Sequence, residues 1–92
     1  MTPRQIELGR HALGLPNKKN VSYRNYFCAG TDDNDFADWM DMVNEGTARR
    51  SGPFAVFGWQ YTFFLTRNGA SLCLQGAEKL DGAYFPDCRA GQ

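Results

Sequence analysis

At 92 residues, with ten Lys and Arg against ten Asp and Glu and 42% hydrophobic residues, the chain has room for one small folded domain and carries no net charge at neutral pH. No apolar run approaches the roughly 20 residues that span a bilayer. The opening MTPRQIELGR lacks the apolar core of a signal peptide, and Cys28, Cys73 and Cys88 are too few and too scattered for a secreted disulfide scaffold.

These exclusions lead to the expectation of a reduced, cytoplasmic protein without a membrane contact, a single domain over residues 1–92. Aromatic residues make up 14% of it, enough for large rings to dominate a small core.

The first helix is predicted over 3–13. Thr2, Pro3 and Gln5 form a capping-box start, Ile6, Gly9, Ala12 and Leu13 share one side, and Gly14 with Pro16 ends it. NKKN at 17–20 is a basic loop. Residues 20–28 read equally as strand, from the alternation of Val21 and Tyr23, or as short helix, from Tyr23, Tyr26 and Phe27. A second helix is predicted over 33–45. Phe36, Trp39, Met40 and Val43 form its buried stripe, Asp32, Asp33 and Asp35 cap its start, and Asp38, Asp41 and Glu45 lie on the opposite face.

Strands are predicted at 47–51 and 60–66, the second from alternating Tyr61, Phe63 and Leu65. Between them GPFAVFGW carries Phe54, Val56, Phe57 and Trp59, either a lid on the core or an exposed contact patch, which could also join two copies as a homodimer. Thr66 caps a last helix at 67–75, with Ala70, Cys73 and Leu74 inward. The tail, 77–92, is expected to pack through Leu80, Tyr84 and Phe85.

Charge is segregated along the chain. Five basic residues and one acid precede residue 31, six acids fall within 32–45, and Arg49, Arg50 and Arg67 follow with no acid over 46–67. Motifs for chemistry are missing. His11 is the single histidine, one turn after Glu7, with which it could pair. His11 and the three cysteines lack the spacing of a zinc site. DDNDFAD fits no register of a calcium loop, since neither Asp32 nor Asp33 as first ligand places Gly sixth and Glu twelfth. No cofactor, metal or catalytic residue is expected.

The order of an apolar-striped helix, Gly46, a short strand with Arg49 and Arg50, a loop, a strand ending Phe64-Leu65-Thr66 and then Gly69 resembles the second half of winged-helix domains. The wider pattern of Tyr23-Arg24-Asn25, Asp38-Trp39, Met42-Val43, the two arginines and Gly69-Ala70 also looks like small phage and prophage proteins, mostly without an assigned role. The resemblance implies an α+β domain, winged-helix-like, of about three helices and a two- to three-stranded antiparallel sheet. It implies as well a helix that would enter a DNA major groove. That helix is the acidic one, and carboxylates repel phosphates.

The expected function is therefore non-enzymatic. Asp38, Asp41 and Glu45 would bind a basic surface of a host protein, as an inhibitor of a host defence or nucleic-acid-handling complex in the manner of anti-CRISPR proteins. The alternative is a winged-helix regulator that touches DNA through Lys18, Lys19, Arg24, Arg49 and Arg50.

Overall fold

In the computed structural model, which describes residues 1–85 apart from the side chain of Phe57, helix α1 spans Pro3–Leu13. The Thr2 hydroxyl accepts the Gln5 N–H at 3.1 Å and the Gln5 side-chain oxygen accepts the Thr2 N–H at 3.0 Å. Gly14 closes the helix at φ 82°. The buried face is Gln5, Leu8, Gly9, Ala12 and Leu13, a run of i, i+3, i+4, i+7 and i+8. Ile6, expected inside, is half-buried. Gln5 takes the inner place because its amide is held by the cap.

Of residues 20–28, which the sequence left open between strand and short helix, 27 and 28 enter a strand, Val21 makes an isolated parallel bridge to Lys79, and none is helical. Asn17 ties the loop, donating to the carbonyls of Gly14 (3.0 Å) and Val21 (2.8 Å). The chain then runs extended beside α1, with Tyr23 and Tyr26 N–H donating to the carbonyls of Leu13 and Ala12. Strand β1 is only Phe27–Ala29. Just before it Asn25 imitates a strand residue. Its side chain donates to the Leu65 carbonyl (3.0 Å) and accepts the Leu65 N–H (2.8 Å).

Helix α2 spans Phe36–Glu45, three residues shorter at its start than predicted. The acids that were expected to cap it have other work. The Asp33 carboxylate accepts the Gly30 N–H at 2.7 Å and so holds a turn, the local competition that keeps Asp out of helix interiors. Asp35 stands at the cap position without a capping bond and instead accepts from Arg4 of α1 at 2.6 Å. Trp39 and Met42 are the fully buried residues of α2, with Phe36, Met40 and Val43 half-buried around them.

Strands β2 (Ala48–Phe54) and β3 (Gln60–Leu65) complete an antiparallel sheet of order β1-β3-β2. Among the described residues three α-helices and this three-stranded sheet make a small α+β domain. β2 runs three residues past the predicted end at 51, through a register shift between Ser51 and Phe54. Between β1 and β2 stands α2 alone, so the paired helices of a helix-turn-helix are not formed there.

Trp39 stacks on Phe63 at 5.5 Å and 20°, with Phe27 5.3 Å from Trp39 and Phe36 edge-on to Phe63 at 5.8 Å. Among the described residues the buried Trp39 indole N–H has no partner, which costs about 1–3 kcal/mol against the area its rings bury.

The end of α2, the start of β2 and helix α3 (Arg67–Leu72) meet at one polar knot. Thr47 donates from its N–H (2.9 Å) and its hydroxyl (3.1 Å) to the Met42 carbonyl, and its own carbonyl accepts the Thr66 N–H at 3.1 Å. The Thr66 hydroxyl donates to the Gly46 carbonyl (3.0 Å) and accepts the Gly69 N–H (3.1 Å). α3 stops at Leu72 rather than 75, with Ala70 and Cys73 buried and Leu74 half-buried.

Of the tail, Phe85 is buried, Leu80 half-buried and Tyr84 exposed, contrary to its expected packing. The remaining tail, 86–92, lies outside the described residues. A Cβ on Gly69 would sit 1.9 Å from the Thr47 carbonyl oxygen, whereas one on Gly46 meets open space. Gly69→Ala is therefore expected to lose about 1–3 kcal/mol or more in urea unfolding. Gly46→Ala loses only the roughly 1 kcal/mol of its left-handed backbone.

Candidate functional site

Stacking of Trp39 on the sheet turns the other side of α2 outward. Asp38, Asp41 and Glu45, at i, i+3 and i+7, fall within an arc of about 60° on the helix surface. Asp41 and Glu45 are exposed and Asp38 is half-exposed at the flank. Among the described residues the ion pairs are Arg4 with Glu7, Arg4 with Asp35, and Arg10 with Glu78. The three carboxylates of the α2 stripe take part in none of them. Asp38 lies in the first turn of α2, where a carboxylate opposes the helix dipole favourably, but neither that nor ion pairing among the described residues accounts for Asp41 and Glu45.

The link between β2 and β3 is a short 3-10 turn, Ala55–Phe57, and it is not a lid. Phe54 is 38% exposed, Val56 81% and Trp59 68%. The Phe57 side chain lies outside those described. Gly58 and Trp59 follow one another in the left-handed region, at φ 67° and 63°. For a bulky side chain that conformation costs about 1–2 kcal/mol. An exposed ring in such a position gains little from the core.

The basic candidates are divided by what holds them. Arg24 donates twice to the His11 carbonyl, at 3.2 and 2.7 Å. Arg50 lies over the Tyr61 ring at 5.0 Å and donates to the Met40 sulfur at 3.5 Å. It shares the core-side face of the sheet because it stands opposite Phe63. Arg49, opposite Phe64, is exposed on the other face, and Lys18 and Lys19 are exposed in the Asn17 loop. Arg49 and Arg50 line a cleft with Val43 of α2, whereas Lys18 and Lys19 line a different one with Tyr23.

His11 does not pair with Glu7. Glu7 is bound by Arg4, and the imidazole meets the Phe27 ring edge-on at 5.6 Å. Both carboxylates of the shallow cleft beside His11, about 240 Å³, belong to the Arg4 bridge. Among the described residues no three His, Cys, Asp or Glu side chains are placed to hold a metal ion, and Cys88 lies outside them. Cys28 is half-buried, its sulfur 3.9 Å from the Thr62 hydroxyl. Burial against Gly9 pushes the Cys73 thiol up to about 11, Arg10 opposing this more weakly, so Cys73 is a packing residue rather than a nucleophile. No described helix is long and apolar enough to cross a membrane.

The chain matches no protein-family model, no curated protein and no solved structure. Its geometry therefore carries the functional reading.

Sequence reading missed all three ion pairs of the described residues, and the most enclosed is Arg10–Glu78, with side chains only 11% and 7% exposed. Arg10 also donates to the Cys73 carbonyl at 2.8 Å, and Glu78 accepts the Gln75 N–H at 2.8 Å. It fastens the segment after α3 to α1. The hydrogen bond from Arg10 holds the Glu78 carboxyl below its ordinary 4.5. Its stabilisation is thus complete above that value and fades as pH falls through the lower, folded-state value. Glu78→Gln is expected to lower stability at neutral pH and to flatten the acid limb of a urea-midpoint against pH profile below about 4.5.

Proposed function

We propose that this domain is a non-enzymatic protein-binding module whose α2 stripe of Asp38, Asp41 and Glu45 docks on a basic protein surface. The supporting observation is that these three carboxylates lie together and face outward, with no ion pair among the described residues. Complementary fields of this kind speed encounter and choose the partner.

The hairpin tip supplies what charge alone lacks. Phe54, Val56 and Trp59 offer apolar area, and Trp residues are the commonest anchors of binding energy. In the finer form of this proposal the partner is a host nucleic-acid-handling protein in the cytoplasm and the module a phage-encoded inhibitor. That form rests on the sequence resemblance. Docking of α2 into a DNA groove is disfavoured by the sign of its charge.

Reversing the stripe (Asp38→Lys, Asp41→Lys and Glu45→Lys together) changes no buried contact. The triple variant is expected to fold and to lose about tenfold or more in affinity for the partner captured by the wild-type protein. Full retention of that partner by the folded variant ends the proposal. A duplex-DNA mobility shift that the triple variant strengthens, with a steep salt dependence, moves the reading to DNA.

The tip is tested separately. Trp59→Gly removes a large exposed ring from a left-handed position. It is expected to leave the urea midpoint unchanged or raised and to weaken capture by about tenfold. A lowered midpoint would make Trp59 a structural residue instead.

A further inference from the structure

The segment after α1 carries a second surface of opposite character. From residue 8 to residue 31 there is no acid, while Lys18, Lys19 and Arg24 fall within seven residues of one another. Tyr23 and Tyr26 are 59% and 53% exposed. The Arg24 guanidinium lies 5.3 Å from the Tyr23 ring centre and 5.9 Å from that of Tyr26. It is anchored to the His11 carbonyl by its two hydrogen bonds.

The rings are held in place by the backbone. Tyr23 rests on Gly14 so closely that a Cβ there would come within 2.3 Å of it. Tyr23 and Tyr26 N–H groups are both bonded to α1 carbonyls. A cleft of about 400 Å³ joins Tyr23 and Val21 to Lys18 and Lys19, within the roughly 300–1,000 Å³ of ligand pockets. Asp81 reaches this segment through the Ser22 hydroxyl at 2.5 Å, but its other oxygen accepts the N–H groups of Ala83 and Tyr84.

We infer that Tyr23, Arg24 and Tyr26, with Lys18 and Lys19, form a binding platform for single-stranded nucleic acid. Exposed rings stack on unpaired bases, which present free π-faces, and the lysines neutralise the phosphates between them. Duplex DNA hides those faces in its own stack, and an acidic peptide gives the tyrosines nothing to stack on. The charge of the segment and its paired rings together select a polyanion with flat, unpaired bases. This surface does not include the α2 stripe, so it stands or falls apart from the protein-docking proposal.

The test is fluorescence anisotropy with a labelled oligothymidine of about 12 nucleotides, at about 50 mM salt. The wild-type protein is expected to bind it. Tyr23→Ala with Tyr26→Ala should weaken binding about tenfold, and Lys18→Ala with Lys19→Ala should weaken it and reduce the salt slope by about 1–2. Far-UV circular dichroism checks that each variant folds. Tyr26→Ala alone, a substitution away from Gly14, keeps the test open should the Tyr23 change unfold the chain.

Absence of binding at about 100 µM protein overturns the inference, as does undiminished binding by the folded tyrosine variants. A duplex of the same length that binds better, or a polyglutamate that competes equally well, overturns it too. The α2 triple reversal should leave this binding intact.

Discussion

The stack of Trp39 on Phe63 is the contact through which α2 belongs to the sheet. Rotating α2 to bury its opposite face would place Asp38, Asp41 or Glu45 against Phe27 and Phe63. An unpaired carboxylate there would be neutralised or would unfold the site. The core therefore settles which side of α2 is wet. Tolerance of an indole N–H without a partner among the described residues measures how much that ring contributes, since the same area could not be buried by a smaller residue without leaving a cavity.

Around this stack the chain is tied by a few side chains that stand in for backbone. Asn25 extends the short β1 by bonding both polar groups of Leu65. Thr47 and Thr66 close the junction of α2, β2 and α3 with bonds that need no longer strand or helix. Arg10 and Glu78 then clamp the segment after α3 to α1. In a domain of this size such ties offset a modest core, and they explain why β1 and α3 persist at three and six residues.

Much of this architecture is written in local chemistry. Thr2, Pro3, Gln5 and Gly14 define α1 because capping is decided within a few residues. The alternation of Tyr61, Phe63 and Leu65 is likewise read directly from the sequence as β3. What sequence reading misses depends on partners far away in the chain. Asp35 looks like a helix cap until Arg4, 31 residues earlier, claims it, while Asp33 is the local exception, turned back to the Gly30 N–H. Residues 20–28 are ambiguous because their form is imposed by α1 carbonyls and by Leu65. The hairpin tip is as apolar as a core segment, and only the geometry shows it standing in solvent. The acidic stripe is legible from helical spacing, but its lack of ion pairs among the described residues is not.

That lack has a physical source in how the chain spends its arginines. Arg4 bridges Glu7 and Asp35, Arg10 binds Glu78 and the Cys73 carbonyl, Arg24 holds the His11 carbonyl, and Arg50 lies between Tyr61 and Met40. Four of the ten cations are thus bound to carbonyls, a sulfur, rings or acids other than those of the α2 stripe. A planar guanidinium suits such multiple, directional contacts better than an ammonium does. Lys18, Lys19 and Arg49 stay in water, on the Asn17 loop and on the sheet face opposite the core. A chain of zero net charge can therefore present, among the described residues, an acidic helix face outside any ion pair in one place and exposed cations in others. With a screening length of about 8 Å at physiological salt, each patch is felt by an incoming molecule largely on its own. Local composition, rather than total charge, then decides what each surface attracts.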